Sequence, residues 1–155
     1  MSRRLVANTL KAAVARRMVK KRHAVNFELG LCKRGKLRAD AISMTMYGEF
    51  TIFEVKSCTS DFLTDEKCDQ YLKYCHKFYF VFEEKTWNKL KEKVAFPPKV
   101  GVIIYTETRD MRVVRKSRRQ EMEPKIHQQL ILRMAYRAAE FRSLRQVNLW
   151  AKANL

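Results

Sequence analysis

The chain has 155 residues, 46% of them hydrophobic, with 33 lysines and arginines against 16 acidic residues and a formal charge of +17. That size and hydrophobic share suit one domain with one core, here residues 1–155, and no apolar run approaches the roughly 18 residues a membrane span needs. So strong a positive field favours a polyanion, most often nucleic acid inside cells; a membrane surface ranks lower, because no basic amphipathic helix with bulky apolar anchors stands out.

Cys32, Cys58, Cys68 and Cys75 form no CxxC, so their spacing does not suit a zinc site. The basic start, Met1-Ser2-Arg3-Arg4, is not followed by the apolar segment of a signal peptide, and the expected location is the cytoplasm.

Residues 5–21 read as a basic helix, with Leu5, Val6, Leu10, Val14 and Met18 spaced near three and four. Arg16, Arg17, Lys20, Lys21 and Arg22 crowd its last turn, where they suit both the negative end of the helix dipole and phosphate contacts. Val25 to Leu31 reads as a first strand. Its Glu28 is either an additional metal carboxylate or a side chain facing water. A basic turn follows, Cys32-Lys33-Arg34-Gly35-Lys36.

The stretch from Leu37 to Lys56 has the look of a hairpin: two β-branched and aromatic arms around Tyr47-Gly48-Glu49. Glu54 and Lys56 are two apart, so a strand points both to one face. Buried there without partners, these charges and Asp40 would be costly, and a divalent metal held by Asp40 and Glu54 beside Lys56 settles all three. Asp40 joins that face only if the loop has an odd number of residues or carries a bulge. A loop of Tyr47 to Glu49 sets Asp40 opposite Lys56.

Ser57 to Asp61 reads as a polar turn. A helix over Thr64 to Lys77 follows, with Thr64 as N-cap and Cys68, Tyr71, Leu72 and Cys75 as its buried stripe. Phe78 to Phe82 is a strand covered on both faces and parallel to the Glu54 strand. Thr86 to Val94 suggests a short helix with Trp87 and Leu90 inward, ended by Phe96-Pro97-Pro98. Val100 to Tyr105 and Met111 to Arg115 pair as strands. Arg115-Lys116-Ser117-Arg118-Arg119 is either a mobile loop gripping a backbone or a solvated linker. Pro124 opens one long helix to about Trp150, with Ile126, Leu130, Ile131, Met134, Ala135, Ala138 and Phe141 as its core face.

The expected fold is therefore α/β: a mixed central sheet flanked by helices, with an αβββαβ core over about 25–105. The order of elements, with Asp40 and then Glu54-Val55-Lys56 on the middle strands, resembles the PD-(D/E)XK nuclease superfamily, whose fold is restriction-endonuclease-like. More narrowly, Arg38-Ala39-Asp40, Glu54-Val55-Lys56-Ser57 and Asp61-Phe62 resemble the MmcB-like family of DNA-repair proteins. Lys67, Tyr71, Tyr74-Cys75, Phe78 to Val81 and Phe96 to Val102 extend the match.

The resemblance implies a Mg²⁺ or Mn²⁺ site formed by Asp40, Glu54 and the carbonyl of Val55, with Lys56 orienting water or stabilising charge at phosphorus. It implies support from Lys67, Gln70, Tyr71 and Tyr74 around that site, to which the reading of the first strand adds Glu28. Alanine stands at position 39, where the superfamily pattern has proline. Arg34, Lys36, Arg38, Arg115, Lys116, Arg118 and Arg119 are the expected contacts to single- or double-stranded DNA. Three readings stand at this point: a metal-dependent endonuclease or exonuclease in DNA repair or processing, a non-cleaving DNA-binding protein on the nuclease fold, and a basic partner-binding protein. A homodimer stays open, and no membrane partner is expected.

Overall fold

Six strands form one mixed sheet whose spatial order is the order of the chain. They are β1 (Ala24–Gly30), β2 (Arg38–Met44), β3 (Phe50–Lys56), β4 (Lys77–Glu83), β5 (Val100–Tyr105) and β6 (Met111–Arg115). Neighbours run antiparallel from β1 to β3, parallel from β3 to β5, and antiparallel again at β6. The computed structural model describes residues 2–63 and 68–153. The chain divides into two compact units, Met1–Met122 and Glu123–Leu155.

Helix α1 (Arg3–Lys20) starts where the Ser2 hydroxyl accepts the Leu5 amide at 3.3 Å. It buries Val6, Leu10, Ala13, Val14 and Met18. Leu5, expected in this stripe, is 52% exposed, because a step of about 100° from Val6 turns it away. The stripe packs on one sheet face against Ala41, Phe53, Val55, Val81 and Ile103. Full burial of a side chain such as Leu10 or Val14 contributes about 1.5–3 kcal/mol, so this seam fixes α1 across the sheet.

The other sheet face is aromatic. Phe62, from the short helix α2 (Thr59–Leu63), meets Phe80 and Phe82 edge-on at 5.0 and 5.5 Å between centroids. Phe96 and Trp87 complete the cluster, Trp87 coming from α4 (Glu84–Leu90). Strand β4 is thus covered on both faces, as its apolar run implies.

One helix over Thr64 to Lys77 does not form. Helix α2 begins at Thr59, inside the stretch read as a turn, and α3 (Cys68–Leu72) ends before Cys75. Position 76 is claimed by the sheet: the His76 amide donates to the Phe50 carbonyl, and the Phe50 amide to His76 Nδ1, both at 2.9 Å. Thr64, Asp65, Glu66 and Lys67 lie outside the described residues. Cys75 is buried, and burial pushes its thiol up to about 12, which keeps it protonated and inert.

The basic segment after β6 is neither loose nor solvated along its whole length. Ser117 Oγ accepts the Phe78 amide at 3.1 Å and donates to the Lys99 carbonyl at 2.7 Å. Gln120 Nε2 donates to the carbonyls of Leu72 and Cys75, and Arg119 Nε bonds Glu49 at 3.0 Å. In the second unit, α5 (Pro124–Ala153) opens on proline as expected. Of its expected core face, Leu130 and Met134 are buried and Ile126 half-buried, whereas Ile131, Ala135, Ala138 and Phe141 are exposed. Apolar periodicity tells which residues share a face, not that anything covers it.

Candidate active site

The β2–β3 hairpin sets the site. The Thr45 amide donates to the Glu49 carbonyl and the Gly48 amide to the Thr45 carbonyl, both at 3.0 Å, enclosing the three-residue loop Met46-Tyr47-Gly48. Gly48 takes φ +79°, the left-handed conformation such a loop requires at its last residue. The loop length is odd, as a shared face demands. It lies one residue earlier than expected, so the register from Met44↔Phe50 to Ala41↔Phe53 continues to Asp40 opposite Glu54 rather than Lys56.

At that point the ladder of paired residues stops and the two carboxylates replace it. The Asp40 amide donates to Glu54 Oε1 at 3.1 Å, and the Val55 amide donates to Asp40 Oδ2 at 2.9 Å. Each acid is thereby locked to the backbone of the other's strand. Glu54 is buried, and Asp40 keeps 26% of its side chain exposed.

Glu28 lies across from Asp40 on the other side, but β1 skips it: paired residues run Phe27↔Ala41 and then Leu29↔Ala39. Its φ of +51° lies outside the strand region and accounts for the missing pair, while β1 continues to Gly30 in the same register. The Glu28 carboxylate is held by Lys11 of α1 and by Arg38 Nε at 2.7 Å. Lys11 Nζ also lies 3.6 Å from Asp40 Oδ1, so one ammonium serves two carboxylates. Burial alone would lower the Lys11 pKa, but the hydrogen bond to Glu28 and the charges of Asp40 and Glu28 outweigh it and hold it above its ordinary value.

On β3, Lys56 shares a face with Glu54 and with Phe80, the β4 partner of Glu54. Its ammonium stands 5.8 Å from the centre of the Phe80 ring, a cation–π distance that directs the chain along the aromatic face. Tyr71 steadies the other strand, donating from its hydroxyl to the Arg38 carbonyl at 3.1 Å, two residues before Asp40. Gln70 is exposed and Tyr74 half-buried, and among the described residues neither bonds Asp40 or Glu54.

The expected DNA contacts divide. Lys36, Lys116 and Arg118 are exposed cations. Arg38 is paired with Glu28, and Arg119 with Glu49 and Glu121. Arg115 spends its guanidinium on the carbonyls of Val100, Phe96 and Pro97 at 3.0, 3.1 and 3.3 Å, which makes it a clamp on the chain before β5. Lys67 and the side chain of Arg34 lie outside the described residues. Lys11 is not among the residues the sequence singles out, since a lysine in a helix of mostly arginine cations looks like solvated surface. Its one signal is position, bordering the buried Leu10 and three residues before Val14.

Among the described residues no cluster of three or more acidic, histidine or cysteine side chains stands at metal-holding spacing. The donor set is Asp40 and Glu54, two hard oxygen ligands beside a position that already attracts the Lys11 cation. Such a pair fits Mg²⁺ or Mn²⁺, which keep most of their shell for water and phosphate oxygens. No helix among the described residues is long and apolar enough to cross a membrane.

The fold is similar to a solved structure, the SPO1766 protein of unknown function from Silicibacter pomeroyi, with a TM-score of 0.76, 26% identity and coverage of 90% of this chain and 91% of that one. No curated protein matches the chain significantly. The model of the MmcB-like DNA repair protein family matches residues 2–148, nearly the whole length, and the chain belongs to that family.

Proposed function

We propose that the protein is a metal-dependent nuclease of the PD-(D/E)XK type that hydrolyses DNA phosphodiester bonds at Asp40, Glu54 and Lys56. The observation that carries this reading is the reciprocal lock at the end of the β2–β3 ladder, where each of two carboxylates from adjacent strands is hydrogen-bonded to a backbone amide of the other's strand. Membership in a DNA-repair family supports DNA as the substrate.

In this reading Asp40, Glu54 and the Val55 carbonyl hold the ion. A bound Mg²⁺ or Mn²⁺ supplies polarisation of the phosphate and a more acidic bound water. Lys56 orients the attacking water and offsets the charge that builds on the phosphate oxygens. Water adds to phosphorus, the bond to the bridging ester oxygen breaks, and that oxygen leaves with a proton. Tyr71 acts through the Arg38 carbonyl as a positioning residue for β2.

Incubation of the purified protein with single- and double-stranded DNA, under Mg²⁺, Mn²⁺ or chelator, tests the proposal. Asp40→Asn, Glu54→Gln and Lys56→Ala should each lower cleavage at least about 100-fold, as loss of a directly engaged catalytic group does. Cleavage that survives Asp40→Asn or Lys56→Ala overturns it. One observation favours a second reading, a DNA-binding protein that does not cut: Lys11 already supplies a positive charge to Asp40 and Glu28. Chelator-insensitive binding without cleavage selects that reading.

A further inference from the structure

The protein builds the same turn twice. In the β5–β6 hairpin the Thr106 amide donates to the Asp110 carbonyl and the Arg109 amide to the Thr106 carbonyl, both at 2.9 Å. This repeats the bonding of the β2–β3 loop one residue type apart: where that loop has Gly48 at φ +79°, this one has Arg109 at φ +63°. A non-glycine residue is disfavoured in the left-handed region, and such residues cluster at functional sites, where the surrounding structure holds them.

The Arg109 side chain lines a groove of 330 Å³ with Ala13, Arg16, Arg17, Lys20, Lys21, Asp110 and Met111. Five of these are cations and one is a carboxylate. Arg17 fastens the wall, donating from Nη1 to the Met111 carbonyl at 2.7 Å. Among the described residues, Arg16, Lys20, Lys21 and Arg109 pair with no acidic side chain. The helix dipole accounts for basic residues at the end of α1, but not for an arginine brought from a distant hairpin in a strained turn. A neighbouring cavity of 680 Å³ shares Arg16 and Arg109 and adds Lys85, but Glu83, Glu84 and Glu107 balance these three cations, so the first groove is the more favourable of the two for an anion.

We infer that the groove between the end of α1 and the β5–β6 turn holds the phosphates of a nucleic-acid backbone, with Arg109 and Arg16 as its principal contacts. This rests on the reading of the protein as DNA-binding and moves the main contact surface away from the segment around Arg115. Only Ala13 and Met111 are apolar in its lining, too little to anchor in a lipid layer, whereas spaced guanidinium and ammonium groups suit successive phosphates. Steps of about 100° per residue put Arg16 some 140° round α1 from Lys11, so groove and carboxylate pair flank the helix separately.

Fluorescence anisotropy with labelled single- and double-stranded oligonucleotides over a salt series tests this. Arg109→Gly removes the charge and relaxes the turn, so it should fold with an unchanged or higher Tm. It should bind about five- to tenfold more weakly, with a salt slope shallower by about one. Lys89→Ala, an equal charge change on α4, should bind as the wild type does. An Arg109→Gly protein with wild-type affinity and slope overturns the groove. Wild-type binding to phosphatidylserine vesicles but not to oligonucleotides overturns it in favour of a membrane. Arg109-dependent binding without cleavage by the wild type supports the groove and sinks the nuclease.

Discussion

Lys11 occupies the position to which the acids of the site would draw a divalent ion. Its ammonium bonds Glu28 and lies 3.6 Å from Asp40, so any ion reaching Asp40 meets a resident positive charge. Lys11→Met keeps most of the alkyl stem and removes that charge. It should raise the apparent Mn²⁺ affinity about fivefold, on the order of the 1 kcal/mol that a partly exposed ion pair is worth. Thermal unfolding under a Mn²⁺ titration reads this directly, because an ion bound only by the folded state raises Tm by mass action. Equal Mn²⁺ responses of the two proteins would show that the ammonium does not compete. Glu54 is legible from residue type and spacing, as Glu54 and Lys56, two apart on an apolar strand, ask for partners, and loop parity adds Asp40. Lys11 is not, because nothing in the sequence of α1 tells that this cation, rather than a neighbouring arginine, meets Glu28, which stands at a φ of +51° where β1 skips a pair.

At the scale of elements, period-two alternation and loop parity place β2 and β3 correctly, while the exact register depends on which residue takes the left-handed conformation. Gly48 takes it, and the loop therefore closes at Thr45 and Glu49 and puts Asp40 opposite Glu54. The helix expected over residues 64–77 fails for a tertiary reason, the capture of His76 by Phe50, which no local pattern announces. Gly101 in β5 is another tertiary feature written as one residue. A Cβ there would run into the Tyr79 ring and come within 2.7 Å of the Ser117 amide nitrogen. Tyr79 stacks on Phe53 at 6.0 Å, and Ser117 bridges Phe78 and Lys99, so neither neighbour yields freely. Gly101→Ala should destabilise the protein by about 1–3 kcal/mol, in line with overpacking elsewhere. Gly30→Ala, where a Cβ meets nothing within 4 Å, should not show this packing loss. Denaturant unfolding of the two variants side by side decides whether the close approach is real.

For the whole molecule the governing quantity is the charge of +17, legible at once from composition. Folding gathers these charges onto one small surface, and their mutual repulsion opposes compaction. The described ion pairs oppose it only locally: Glu49 is held below its usual range first by the Lys77 hydrogen bond, against the raising effect of burial, and then by Arg119. Exposed pairs of this kind contribute about 0–1 kcal/mol each and weaken in salt. The repulsion among many like charges acts over longer distances and is screened more strongly, as the Debye length falls from about 30 Å at 0.01 M to about 10 Å at 0.1 M. Added NaCl should therefore raise Tm over that range, each kcal/mol of relieved repulsion appearing as about 2–4 °C in a chain of this size. DNA affinity should fall steeply over the same interval, since released counterions drive it. The two trends have opposite signs in one buffer series. A Tm that fell with salt would mean that the local pairs around Glu28 and Glu49 outweigh the global field.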